Sequence, residues 1–173
     1  MTEFKVFSRK EWGALPARSN PGKVKDPVGQ VFIHTSVTSQ LPKKATVKQE
    51  KEAMLVLQGI AFGRGFSDIS YSFVIFPSGR VYEGRGWGVT QAATLGFNDQ
   101  SYSFCTGGNT DAFQETNPQV EAITRLINRG QRNGRIKKHV DVRGHREVAP
   151  KACPGAKFTD AEIQAVQRDV NHD

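Results

Sequence analysis

The sequence predicts a single domain of the α/β class, of mixed α+β character, in which a central mixed β-sheet is flanked by helices. Short runs rich in β-branched and aromatic residues alternate with longer segments whose apolar residues recur at helical spacing, a pattern typical of a sheet covered by helices. The length of 173 residues suits one hydrophobic core better than two. No linker or repeat divides the sequence, so we expect one domain over residues 1–173.

Short β-prone runs predict the strands of this sheet. The clearest is QVFIHTSV, which combines β-branched and aromatic residues. A Pro-Ser-Gly turn at residues 77–79 predicts a hairpin between the runs on either side of it. The predicted strands cover residues 30–37, 70–76, 80–83, 101–105 and 138–142. Residues 13–29 are rich in Gly, Pro and Lys and predict an irregular loop.

Helical periodicity and capping signals together predict three helices. Apolar residues at helical spacing predict the first helix from Thr46 to about residue 63. Asn117 followed by Pro118 is typical of an N-cap with proline at the first helical position. Thr159 with Glu162 predicts a capping box for a last helix that ends near residue 170.

Composition narrows the classes of function. Hydrophobic residues make up 37% and charged residues 24% of the chain, which is typical of a globular domain. The net charge of +7 favours an acidic polymer as partner, such as nucleic acid, anionic lipid or an anionic cell wall. The densest basic run, residues 132–138, is short, so a solvated basic surface is favoured over a nucleic-acid patch. Two cysteines, Cys105 and Cys153, do not make a disulfide scaffold and favour a reducing compartment.

One short segment carries most of the chemistry. Residues 144–154 contain His145, Lys151 and Cys153 together with two prolines, which predict a stiff loop. His34 lies near the end of the first predicted strand. Two histidines and one cysteine are ligands that zinc prefers, and three such ligands leave a fourth position open. Zinc in such a site lowers the pKa of bound water to about 7.

Each of these side chains also has a second interpretation that the residues alone leave open. His34 can be a satisfied core histidine, and Cys153 can be a buried small apolar side chain. Lys151 can stabilise an oxyanion or can simply be a solvated surface lysine. Tyr71 can pass a proton near a metal or can be an ordinary sheet aromatic.

Five segments in order along the chain resemble one known family. HREVAPKACP at 145–154, FIHTS at 32–36 and DISYSF at 68–73 resemble the zinc amidase domain of phage amidase-type lysozymes. SRKEWGA at 8–14 and GRVYEGRGWG at 79–88 resemble the peptidoglycan recognition proteins of animals, which share that domain. Five collinear motifs are more specific than any one of them, and they predict a recognition protein/amidase-like fold with a motif-bearing core over about 8–155.

The resemblance implies an N-acetylmuramoyl-L-alanine amidase, which cuts the amide between the lactyl group of N-acetylmuramic acid and L-alanine of the stem peptide. It implies that His34, His145 and Cys153 hold one Zn²⁺ ion, that Lys151 stabilises the oxyanion and that Tyr71 handles water and protons. The partner expected is bacterial peptidoglycan, bound by a monomer without nucleic acid or membrane insertion.

The biological role expected is that of a phage endolysin. The N-terminus lacks an apolar signal core, so we expect the protein to be made in the host bacterial cytoplasm and to act after the membrane is permeabilised. No separate wall-binding domain is expected beside the amidase domain.

The sequence departs from the family pattern at residues 89–98, VTQAATLGFN, where alanine near Ala92 stands in place of a groove histidine. Arg85, Trp87 and Asn98 are candidates for substrate binding, through carboxylate pairing and stacking on sugar. Arg85 and Trp87 have an equally weighted structural interpretation as the end of a hairpin. Cys105 is expected to be a buried strand residue.

Three rival functions stay open at this stage. The first is a peptidoglycan-binding module without activity, although such members commonly lose the cysteine ligand. The second is a thiol hydrolase with Cys153 as its nucleophile and a histidine as base. The third is a nucleic-acid binder, which accounts for the charge but not for the loop at residues 144–154.

Overall fold

The computed structural model describes residues 4–171 and places a six-stranded mixed sheet against α-helices. The strands are β1 (Val6–Phe7), β2 (Val28–Thr35), β3 (Phe73–Ile75), β4 (Val81–Glu83), β5 (Tyr102–Thr106) and β6 (Ile136–Gly144). The helices are α1 (Arg9–Trp12), α2 (Val47–Gly63), α3 (Asn117–Arg132) and α4 (Asp160–Val170), with a 3-10 turn at His145–Glu147. The prediction of a mixed α/β fold with a helix-flanked sheet is confirmed. Residues 1–3, which belong to the N-terminus expected to lack an apolar signal core, lie outside the described residues.

The sheet contains four neighbouring parallel strands, and their carboxyl ends form one edge at which a ligand site can lie. The strand order is β1-β4-β3-β5-β2-β6. Strands β3, β5, β2 and β6 run parallel, whereas β4 is antiparallel to β3 and forms the predicted hairpin with it. The carboxyl ends of parallel strands meet at one edge of a sheet, where α/β proteins generally bind ligands. His34 and Thr35 end β2 at this edge.

The two faces of the sheet bury different helices. Ile33 of β2 belongs to the cluster that contains the buried side chains of α3 and α4. The next residue, His34, points to the opposite face, because side chains alternate along a strand. His34 is in register with Cys105 of β5, which packs in the second cluster with Met54 of α2 and Trp12 of α1. His34 therefore lies at the carboxyl edge on the α2 side of the sheet.

The strand boundaries shift from the predicted ones. Strand β2 begins and ends two residues earlier than expected, β3 covers only part of the second half of the predicted run, and β6 is longer at both ends. The shortening of β3 leaves Tyr71 just before the strand, where its carbonyl accepts the Arg85 N–H at 2.9 Å. Strand β1 and helix α1 were missed, although Ser8 and Glu11 form a readable capping box at the start of α1.

Two helix caps also correct the sequence analysis. Helix α2 begins after Thr46, as expected, and Thr46 forms a complete capping box with Gln49 that the sequence analysis did not predict. The N-cap of α3 is Thr116 rather than Asn117, because the Thr116 hydroxyl accepts the Gln119 N–H at 3.2 Å. At α4 only half of the predicted box forms: Thr159 accepts the Glu162 N–H at 3.3 Å, and no return bond from the Glu162 side chain caps the helix.

The Glu162 side chain instead lies beside Glu115, which precedes α3. Gln114 Nε2 donates to one carboxylate oxygen of each residue, at 3.3 and 3.2 Å. The Oε2 atoms of both glutamates are buried without a hydrogen-bond partner. Burial and the neighbouring Glu162 raise the pKa of Glu115 to about 7. Near neutral pH the pair therefore takes up a proton that two separate surface carboxylates would not hold.

We predict that this pair makes the folded protein less stable as the pH rises. The pKa of Glu115 is about 7 in the folded chain against an ordinary value of 4.5, so the folded chain binds more protons between these values. The stabilising contribution is fully present below about pH 4.5 and is lost as the pH rises through about 7. Glu115→Gln keeps an N–H donor beside Glu162 at every pH. Its Tm should therefore exceed that of the unmodified chain by a margin that grows as the pH rises.

Thermal unfolding followed by circular dichroism from about pH 5 to about pH 8.5 measures this difference. Glu52→Gln, on the exposed face of α2, is the matched control and should show no such trend. A Tm difference between Glu115→Gln and the unmodified chain that stays constant across the pH range would contradict the prediction.

Candidate metal centre

Three metal-ligating side chains meet at the carboxyl edge of the sheet. His34 comes from the end of β2, His145 opens the 3-10 turn after β6, and Cys153 lies on the loop that follows. Their ligand atoms all lie within 4.8 Å of one another. His34 and His145 are buried, with exposed fractions of 2% and 7%, and Cys153 is partly buried. His34 thus meets His145 and Cys153, which both lie more than a hundred positions later in the sequence.

The separation of two of the ligand atoms fits a tetrahedral metal. Cys153 Sγ lies 3.6 Å from His34 Nδ1, and the two imidazole ring centroids are 4.6 Å apart. Zinc bonds of about 2.3 Å to sulfur and about 2.0–2.1 Å to nitrogen, at a tetrahedral angle, separate the two ligand atoms by about 3.5–3.6 Å. Cys153 and His34 can therefore bind one such ion without moving.

Backbone groups position the sulfur of Cys153. The Thr35 N–H donates to Cys153 Sγ at 3.3 Å, which favours a thiolate over a thiol. The loop that carries Cys153 is tied down by Arg146, whose N–H donates to the Cys153 carbonyl at 2.7 Å. The Arg146 guanidinium donates to the carbonyls of Gly155 and Phe158 and to Asp160. The predicted stiff loop is thus fixed by an arginine as well as by its prolines.

Glycine is required at Gly155 because the loop packs on a neighbouring turn. A Cβ atom at Gly155 would collide with the backbone of Thr110 and Asp111, and φ at Gly155 is +102°. The Thr110 hydroxyl donates to the Pro154 carbonyl at 2.6 Å. These contacts hold the segment after Cys153 against the turn that follows β5.

The electrostatics keep the ligands uncharged in the absence of a cation. Burial lowers the pKa of His34 well below its usual value, and the charges of His145 and Lys151 add to this effect. The pKa of His145 is lowered by the same causes, burial and Lys151. Burial raises the pKa of the Cys153 thiol to about 11, against the opposing effects of the Thr35 N–H and Lys151. Both imidazoles are therefore ready to bind a metal, whereas the thiol must first lose its proton.

Tyr71 and Lys151 lie at the same site. The Tyr71 ring centroid is 5.7 Å from that of His34. Burial, followed by Cys105 and Cys153, raises the pKa of the Tyr71 phenol well above its usual value, so the phenol stays protonated. Lys151 is exposed, and its charge acts on all three ligand side chains. The structure brings together the five residues that the sequence singled out.

Arg85 and Trp87, the two substrate-binding candidates at the end of the hairpin, both make extensive contacts within the protein. Arg85 is 7% exposed, and its guanidinium donates to the carbonyls of Ile69 at 2.6 Å, Thr90 at 2.9 Å and Asp68 at 3.2 Å. These bonds hold the guanidinium against backbone carbonyls of the protein. The structural interpretation of Arg85 is therefore favoured, and its role in substrate binding stays a prediction.

Trp87 lies on the other face of the sheet. Its ring packs against Phe73, Tyr102 and Phe104, with centroid distances of 4.6 to 6.4 Å. These partners belong to the cluster under α3 and α4, opposite His34. Trp87 is thus partly buried against this cluster, which favours its structural interpretation, and its stacking on sugar stays a prediction.

Asn98 and its neighbours have a role that the sequence did not indicate. Asn98 Oδ1 accepts the Thr94 N–H at 2.8 Å and so shapes the loop at residues 91–98. The Thr94 hydroxyl lies 3.0 Å from His34 Nε2. No local pattern signals this contact, because the two residues are 60 positions apart. Cys105 is fully buried in β5, as expected.

Comparisons with known proteins agree with this arrangement. Residues 24–156 match the family described as N-acetylmuramoyl-L-alanine amidase. A human N-acetylmuramoyl-L-alanine amidase is 29% identical over 156 residues, which are 90% of this chain but only 27% of the human protein. Peptidoglycan-recognition protein SC2 of Drosophila simulans is 31% identical over 153 residues, 88% of this chain and 82% of that protein.

Solved structures share the fold. Wild-type Drosophila PGRP-LB superposes with a TM-score of 0.86 at 30% identity and covers 93% of each chain. Peptidoglycan recognition protein LE in complex with tracheal cytotoxin, a monomeric diaminopimelic acid-type peptidoglycan, gives a TM-score of 0.86 at 26% identity and covers 92% of each chain. The helix-flanked sheet is therefore a peptidoglycan recognition protein/amidase-like fold. Among residues 4–171, no helix is long and apolar enough to cross a membrane.

We predict that binding of Zn²⁺ releases one proton from Cys153 at about pH 6.5. The thiol has a pKa of about 11 before the ion binds, and a bound thiol is deprotonated, whereas the two imidazoles are already neutral. The affinity for Zn²⁺ should therefore rise about tenfold for each pH unit in this range. Calorimetric titration in buffers of different ionisation enthalpy counts the protons released. Binding without proton release would contradict this assignment of ligands.

Proposed function

The chain belongs to the N-acetylmuramoyl-L-alanine amidase family, and from this membership we propose that it is a zinc-dependent amidase of bacterial peptidoglycan. The proposed reaction hydrolyses the amide between the lactyl group of N-acetylmuramic acid and L-alanine of the stem peptide. The observation that carries the proposal is the cluster of His34, His145 and Cys153, with Tyr71 and Lys151 beside it.

Each residue has a chemical task in this proposal. His34, His145 and Cys153 hold the ion, which when bound polarises the scissile carbonyl and activates water. The Lys151 ammonium is exposed beside the ligands, where it can stabilise the negative charge that develops on the carbonyl oxygen. Tyr71 keeps its phenolic proton because burial raises its pKa, so it can donate a hydrogen bond or pass a proton.

Peptidoglycan is the proposed partner, because solved relatives include complexes with tracheal cytotoxin, a peptidoglycan fragment.

Several curated relatives are named recognition proteins rather than amidases, but two observations on this chain favour hydrolysis over binding alone. The complete ligand set, including Cys153, is present here. Tyr71 and Lys151, which binding alone does not require, act on the same cluster.

A thiol hydrolase is the weaker alternative. A cysteine nucleophile needs a thiolate paired with a base or an imidazolium. Here the pKa of Cys153 is raised to about 11 and that of His34 is lowered, so the pair stays uncharged without a cation. These directions suit a metal site instead.

We place this activity in a phage endolysin that is made in the host cytoplasm and degrades the wall after the membrane is permeabilised. The net charge of +7 supports this role, because it attracts the protein to an anionic wall.

We predict that purified protein releases intact stem peptides beginning with L-alanine from peptidoglycan, and that a zinc chelator stops the release. Mass spectrometry of the fragments identifies the bond that is cut. Cys153→Ala should lose both bound zinc and activity, since it removes the only anionic ligand. Fragments formed at the same rate without zinc would overturn the metal mechanism, and binding without fragments would favour a recognition module.

We predict that Lys151→Ala retains zinc but loses turnover by about 10²–10³-fold, as expected for removal of an oxyanion-stabilising group. Lys157→Ala is the matched control, because Lys157 is an exposed lysine on the same loop. Zinc content by mass spectrometry and initial rates on soluble peptidoglycan fragments separate metal loss from loss of catalysis. Equal rates for both variants would show that Lys151 is a solvated surface lysine without a catalytic role.

A further inference from the structure

The loop at residues 91–98 reaches the metal cluster through a buried polar contact. The Thr94 hydroxyl oxygen lies 3.0 Å from His34 Nε2. Thr94, Gln91 and His34 have exposed fractions of 0%, 1% and 2%, so water does not compete for these bonds.

The direction of the bonds around Thr94 follows from Gln91. The Ala93 N–H, which can only donate, lies 2.7 Å from Gln91 Oε1, and this contact fixes the orientation of the amide. Gln91 Nε2 therefore donates to the Thr94 hydroxyl at 2.9 Å and to the Ser101 hydroxyl at 3.1 Å. The Thr94 oxygen accepts one proton from Gln91 and retains a second lone pair for His34.

The other nitrogen of His34 faces the metal position. His34 Nδ1 lies 3.6 Å from Cys153 Sγ, the separation of two ligands on one tetrahedral ion. A neutral imidazole carries one proton, so a histidine that binds a metal through Nδ1 must carry its proton on Nε2. The Thr94 oxygen is the atom that stands opposite this proton.

We infer that Thr94 is a positioning residue of the proposed zinc site, whose hydroxyl oxygen accepts the His34 Nε2 proton and holds the Nδ1 lone pair toward the ion. Gln91 and Asn98 support Thr94 by binding its hydroxyl and its N–H. The inference rests on the proposed zinc-dependent function. A partner that orients a metal-binding imidazole commonly changes the metal affinity by 10- to 100-fold when it is removed.

The test compares zinc affinities of Thr94→Val and Thr94→Ser, measured by competition with a chelator on the full chain. Thr94→Val keeps the shape but removes the acceptor, and it should bind Zn²⁺ about 10- to 100-fold more weakly. Thr94→Ser keeps the hydroxyl and should stay within about threefold of the unmodified chain. Thr116→Val is the matched control: it removes a hydroxyl that caps α3 and should lower Tm without changing the affinity for Zn²⁺.

A second measurement needs no variant. In the zinc-loaded unmodified chain, ¹⁵N NMR should show His34 protonated on Nε2, with slow exchange of that proton with solvent. Protonation on Nδ1 would overturn the inference even if Thr94→Val fails to fold.

The outcomes separate this inference from the proposed function. Equal zinc affinity for Thr94→Val and the unmodified chain, with amidase activity intact, would overturn the role of Thr94 alone. Failure of the unmodified chain to bind Zn²⁺ would overturn the proposed function and the inference with it.

Discussion

The hydrogen-bonded register of β2 between β5 and β6 is the constraint on which the site depends. Ile33 pairs with Phe104 on one side and with Gly144 on the other, so the ends of β2 and β6 bring His34 next to His145. A slip of one residue would turn His34 into the cluster under α3 and α4 and place an apolar side chain at the site. The Thr106 hydroxyl donates to the His34 carbonyl at 3.0 Å and reinforces this register.

The third candidate ligand, Cys153, is positioned by a loop rather than by a strand. Cys153 belongs to no strand or helix, and bonds from the Arg146 guanidinium and from the Thr110 hydroxyl fix its loop in place. Arg146 directly follows His145 in the 3-10 turn, so this turn carries both a candidate ligand and the arginine that fixes the loop of Cys153. The geometry of His145 and Cys153 is therefore coupled through one arginine side chain.

The sequence predicted the fold class, helix α2 and the clustering of His34, His145 and Cys153, because each of these depends on local patterns or on ordered motifs. It left the structural and substrate-binding interpretations of Arg85 and Trp87 equally weighted, because only packing decides the orientation of these side chains. The carbonyls that bind Arg85 belong to a loop up to 17 residues away, and the face on which Trp87 lies depends on the alternation of β3 and β5. The contact of Thr94 with His34 could not be predicted for the same reason, since it joins a loop to a strand 60 positions away.

The position of Lys151 is the strongest physical argument for catalysis at this site. Its ammonium acts on all three ligand side chains, and a positive charge next to a cation site opposes cation binding. In the proposed zinc site one thiolate neutralises only half of the charge of the ion, so the loaded centre with Lys151 stays strongly positive. A site built only to retain a metal gains nothing from this lysine. A site that must stabilise an oxyanion does gain, because the negative charge that develops on the carbonyl oxygen meets both positive charges in the transition state, whereas the neutral amide of the ground state does not.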